Sequence, residues 1–134
     1  MNISFDIWHF EETSPLSPEI TRLMDLIMAA GSAPLEELHR TYGGKLPEEV
    51  KVQFMRGPVG RKIRWENEKL TLFEDLGMML VQGHGLFIVI LGLGPLLRIT
   101  TLHEYMHVLG HFKEGFVKKA VEDFIKYHRW KASV

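Results

Sequence analysis

Apolar and polar residues alternate at the start of the chain. In "NISFDI", Ile3, Phe5 and Ile7 are separated by polar neighbours, the period of two that a half-buried strand requires. The pattern then changes. "ETSPLSPE" is rich in turn residues, and Ser17-Pro18 offers a helix N-cap followed by proline at the first helical position. Ile20, Leu23, Met24 and Ile27 line one face of the helix that follows, which should stop near Gly31. Ser32 with Pro34 repeats the start signal for a short helix through "LEELHRTY", closed by Gly43-Gly44.

Period two returns at Val50, Val52 and Phe54. It recurs on either side of a polar "NE" turn, where Ile63 and Trp65 face Leu70 and Leu72 as a hairpin. "LFIVIL", from Leu86 to Leu91, is apolar without interruption, as strands covered on both faces are. After "GLGP" the spacing predicts a helix from about Leu96 to Leu109 with Gly110 as its C-cap. A closing helix should run from about Lys113 to His128, burying Phe116, Ala120, Phe124 and Tyr127 on one stripe. This order predicts an α+β fold, a single domain over residues 1–134 with a small mixed sheet and two C-terminal helices.

Composition changes that picture in a few places. With 46% apolar and 25% charged residues the chain has the balance of a folded protein. A net charge of −1 gives no reason to expect a nucleic-acid partner. Cysteine is absent, so any metal must be held by imidazole and carboxylate. Asn and Gln total only four, a composition expected of a heat-loving source. The stretch from Leu76 to Leu97 has no formal charge and is long enough to span a bilayer. Five glycines with Gln82, His84 and Pro95 break it, so a core strand is the better reading and membrane contact is not expected. "MNISFDIWHF" carries acids and no basic n-region, which reads as no signal peptide and a cytoplasmic setting.

The chemistry concentrates in "TTLHEYMHVLGHF". His103 and His107 are four apart, so on a helix they share a face and can present two imidazole nitrogens to one ion. Zinc suits such donors. Glu104 lies about 100° round the helix, beside the ligands and free to move a proton. H-E-x-x-H on a helix is the zinc metalloprotease arrangement. The flanking Thr100, Thr101, Tyr105, Met106, Val108 and Leu109 carry no charge, so this helix is buried and its three polar residues need partners. The bland alternative pairs His103 with a carboxylate and Glu104 with Arg98 or a lysine, leaving His107 a core histidine.

Two histidines rarely hold zinc alone. Glu122 is the expected third ligand, because a closing helix folded back on the motif helix brings it level with the two histidines. Glu114 and His111 follow, with Asp123 behind them; the bland reading makes Glu122 a surface carboxylate near Lys118, Lys119 and Lys126. Tyr127, His128 and His84 are candidates for stabilising a developing oxyanion.

"LFIVILGLGPLLRITTLHEYMHVLGH" resembles the strand, linker and active-site helix of zincin metallopeptidases, specifically gluzincins. The likeness is greatest to the minigluzincins, small soluble relatives of the membrane-linked HtpX-like peptidases. It covers about 25 residues, and the short Val108-Leu109 spacer before Gly110-His111 departs from the larger enzymes. In a metzincin the third histidine would fall at Lys113, so that pattern fails. The resemblance implies that His103 and His107 are zinc ligands, that Glu104 is general base and acid, and that a glutamate of the next helix completes the site. It further implies that Leu86, Ile88 and Ile90 lie on a strand at the cleft rim that binds peptide or protein substrate in extended form. Small members also hold latent, self-blocked states. The expected function is therefore zinc-dependent peptide hydrolysis, with a cleft that is shallow, self-occluded or completed by self-association. Its rival is a non-catalytic metal- or peptide-binding protein on a zincin-like scaffold.

Overall fold

The computed structural model describes residues 1–9, 18–56, 64–66, 69–71, 77–82, 85–90 and 97–127. Strand β1 (Asn2–His9) leads into helices α1 (Pro18–Ala30) and α2 (Ala33–Tyr42). Strands β2 (Glu49–Arg56), β3 (Arg64–Glu66), β4 (Lys69–Thr71), β5 (Gly77–Gln82) and β6 (Gly85–Ile90) follow, and helices α3 (Leu97–Val108) and α4 (Glu114–Tyr127) close the described chain. The protein mixes helices with a four-stranded sheet of order β1-β2-β6-β5, and β3 with β4 forms a separate antiparallel pair.

β1 pairs parallel with β2 and β2 parallel with β6, whereas β5 joins the edge antiparallel to β6. Parallel pairing needs a long crossover, and α1 with α2 lies in the segment between β1 and β2. On β2, Val50, Val52 and Phe54 are buried as their alternation predicts, and Phe5 of β1 stacks on Phe54 at 6.2 Å. Ser17 of the first N-cap signal, Ile63 and Leu72 of the hairpin, and Leu91 lie outside the described residues. Among the described residues no helix is long and apolar enough to cross a membrane; the uncharged stretch from Leu76 contributes β5 and β6 instead.

Helix α3 is the centre of the core. Leu97, Leu102, Tyr105 and Met106 are fully buried, with Thr100, Thr101 and Glu104 beside them. It packs against α1, α2, α4, β5 and β6. Thr101 satisfies its hydroxyl locally by donating to the Leu97 carbonyl at 2.7 Å.

Helix α4 differs from expectation in which residues it buries. The inward stripe is Val117, Ala120, Val121 and Phe124, while Phe116 and Tyr127 are exposed. The i, i+3, i+4, i+7 set that fits the core begins at Val117. Phe116 is rotated outward and lies edge-on to Tyr42, with ring centroids 6.0 Å apart. The Tyr42 hydroxyl in turn donates to the Ala120 carbonyl at 3.2 Å, tying α2 to α4.

Tyr105 places a phenol in the core. Burial pushes its phenol far above the ordinary range, and its hydroxyl finds no hydrogen-bond partner among the described residues. A buried unpaired hydroxyl costs about 1–3 kcal/mol. Tyr105→Phe is therefore expected to leave stability unchanged or to raise it by about 1 kcal/mol, read by urea denaturation. A loss greater than about 1 kcal/mol would show that the hydroxyl has a partner.

Candidate metal centre

Buried on most sides, α3 reaches solvent along one strip. Ile99, His103 and His107 are spaced by four and share that face; Ile99 is exposed and both histidines are half-buried. Their rings meet edge to face with centroids 4.7 Å apart. Glu104 is 5% exposed and sits one position round the helix.

The helix ends just beyond His107. Gly110 adopts φ 99°, its N–H donates to the His107 carbonyl, and the His111 N–H donates to the Met106 carbonyl at 3.1 Å. This is a Schellman ending, in which glycine takes the left-handed position, as Gly110 was expected to do. The reversal is tight, and α4 begins at Glu114. The first turn of α4 therefore comes back over the histidines. Glu114 Oε2 lies 2.9 Å from His103 Nε2, and its Oε1 lies 3.1 Å from His107 Nε2.

His103, His107 and Glu114 thus offer three donor atoms within 4.8 Å of one another. Glu114, named second in the sequence reading, is the acid that meets both histidines. Glu122 is exposed on α4, eight residues and roughly 12 Å further along its axis. Asp123 is engaged by Lys119 at 3.2 Å. His111 is turned away, its Nε2 donating to the Gly43 carbonyl at 2.9 Å. Tyr127 is thirteen residues past Glu114, roughly 20 Å along the helix, and is exposed. His84 and His128 lie outside the described residues. β6, which carries Leu86, Ile88 and Ile90, is paired along its length with β2 on one side and β5 on the other. It has no free backbone edge, so an extended substrate would have to pair elsewhere.

Proton placement says what the cluster can hold. His107 Nδ1 lies 2.8 Å from the His111 carbonyl. A carbonyl only accepts, so Nδ1 carries the hydrogen. His107 Nε2 then faces the Glu114 carboxylate either protonated, as an imidazolium, or as a bare lone pair that needs another cation between. For His103, burial lowers the pKa below its ordinary value despite the opposing pull of Glu114, and His107 adds to the lowering. The neutral form this favours is the one that coordinates metals. Zinc–ligand bonds of about 2.0–2.2 Å in a tetrahedron place donors roughly 3.3 Å apart; each imidazole lies about that far from one oxygen of Glu114, and the three donors lie within 4.8 Å of one another. The donor set could hold a metal ion. Part of the bland reading is also met, since His103 does pair with a carboxylate.

Sequence reasoning left two features of this site unmarked. Phe112 is 62% exposed and lies parallel over His107 at 5.6 Å; a lone aromatic after a C-cap carries no signal by itself. Edge strand β5 was hidden because "GMMLVQ" does not alternate.

No protein-family model, curated protein or solved structure matches this chain.

If Glu114 is a ligand, Glu114→Gln will weaken zinc binding by more than the ~10–100-fold typical of losing an outer-shell partner. Glu122→Gln will leave it unchanged. Competition against a chromophoric chelator measures both, and the reverse ranking would return the third ligand to the middle of α4.

Proposed function

We propose that this chain is a small zinc-dependent metallopeptidase of the gluzincin kind. The observation that carries the reading is the convergence of His103, His107 and Glu114 on one point at the solvent-facing strip of an otherwise buried helix. Two imidazoles and a carboxylate are the ligands of a catalytic rather than a structural zinc site, which keeps a fourth position for water or substrate. A zinc ion held there lowers the pKa of water and polarises a carbonyl.

Glu104 adjoins the two histidines on α3. Its role is to accept a proton from the attacking water and deliver it to the leaving amine. Its burial keeps bulk water from competing for that proton. The substrate is an extended peptide. β5 supports this, because among the described residues it pairs with β6 alone, and it packs against α3. A free edge presents unpaired N–H and C=O groups that a substrate strand can engage.

The competing reading is a non-catalytic metal-binding protein on the same scaffold. It is favoured by the direct contact of Glu114 with both imidazoles, which satisfies the cluster without any turnover.

Hydrolysis of a broad fluorogenic peptide library by zinc-loaded protein tests the proposal. Glu104→Gln should lower the rate about 10²–10⁴-fold, the usual contribution of a general base, while zinc stoichiometry stays near that of the parent. A parent protein that binds zinc and cleaves nothing in the library would leave the non-catalytic reading in its place.

A further inference from the structure

His111 follows the motif by one turn yet points away from the cluster, and the structure gives it other work. Its ring Nε2 donates to the Gly43 carbonyl, 68 residues away in sequence, at 2.9 Å. Its backbone carbonyl accepts from His107 Nδ1 at 2.8 Å. One residue therefore links the loop after α2 to the orientation of a candidate ligand.

The loop is shaped for this contact. Gly44 has φ 104°, and a Cβ added there would stand 2.3 Å from the Leu109 carbonyl oxygen and 3.1 Å from His111 Nε2. Only glycine allows the approach. The Lys45 N–H donates to the Leu109 carbonyl at 2.9 Å, and His39 Nε2 donates to the Gly44 carbonyl at 3.2 Å. The loop is thus held from both sides against the end of α3.

The Schellman bonds fix His111 through its N–H. They do not fix its ψ, and ψ decides where its carbonyl points. Anchoring the His111 ring at Gly43 supplies the missing restraint. A histidine whose Nδ1–H is committed to a fixed acceptor keeps one tautomer and one ring direction, and such outer partners tune ligand histidines.

We propose that His111, braced by the Gly43-Gly44 loop, is a positioning residue that holds His107 as the Nδ1–H tautomer with Nε2 aimed at Glu114. This rests on the geometry of the cluster, not on peptidase activity, so the two can fail separately.

The test is long-range ¹H–¹⁵N spectroscopy of the histidine rings in metal-free, full-length protein, at a pH where the imidazoles are neutral. With no ion present the Glu114 side chain, 58% exposed, swings off the bare Nε2, and the parent should show His107 protonated on Nδ1 alone. His111→Phe keeps an aromatic ring beside Phe116 but removes the donor. It should let His107 populate the Nε2–H tautomer and weaken zinc binding about 10–100-fold. His111→Gln, which keeps an N–H of similar reach, should recover most of both. If the Phe variant does not fold, His111→Asn, polar but too short to reach Gly43, replaces it. A parent His107 protonated on Nε2 overturns the proposal. So does a variant with a lower melting temperature but unchanged tautomer and zinc affinity, which is what a merely structural role would give. A parent that takes up no zinc removes the proposed function and leaves the tautomer result to decide this inference.

Discussion

The burial of α3 on almost every side is the constraint on which the rest depends. A helix enclosed by α1, α2, α4 and the β5–β6 edge can carry polar residues only where it opens to solvent or where another group meets them. It opens along one strip, and His103 and His107 are on it. Thr101 solves its own problem with a back-bond to Leu97. The histidines are satisfied differently, because their Nε2 atoms project away from the backbone of α3. Their partner has to come from elsewhere in the chain, and the first residue of α4 supplies it.

That supply depends on the tightness of one turn. Gly110 in the left-handed region lets the chain reverse within a few residues, so α4 starts beside the end of α3. Val117 then becomes the first inward residue, Phe116 is turned out over Tyr42 and His111, and Glu114 meets both rings. A carboxylate in the first turn of a helix is also favoured by the dipole there. One glycine thereby sets the packing phase of α4 and the third member of the cluster together.

Much of this was legible in the sequence, and what was hidden has physical reasons. The limits of α2 and most of α1 were marked by Pro18, Pro34 and the following glycines. The uncharged flanks of the motif announced that α3 is buried. Alternation at Ile3, Phe5 and Phe54 announced strands, but not that β1 and β2 run parallel, because a face alternates identically in either direction. β5 carried no alternation to read. The third acid was misplaced toward Glu122 because the level of a returning helix depends on how many residues the turn consumes. That number is set by Gly110 and by the contact of His111 with Gly43, which joins residues far apart in sequence.

The asymmetry of the three donors bears on what such a cluster is for. His103 and His107 ride on a helix buried on most sides, whereas Glu114 projects from the start of α4 with its side chain 58% exposed. Structural zinc sites are closed by four protein ligands. Here the described donors are two imidazoles and one accessible carboxylate, one fewer than that. With His107 Nδ1 committed to the His111 carbonyl, a cation is required between Nε2 and Glu114. A proton meets that requirement only while His107 is an imidazolium, and a metal ion meets it with both rings neutral. Burial already favours the neutral ring at His103. The burial that makes α3 costly to decorate with polar groups thus also favours, at His103, the neutral ring that metal coordination requires.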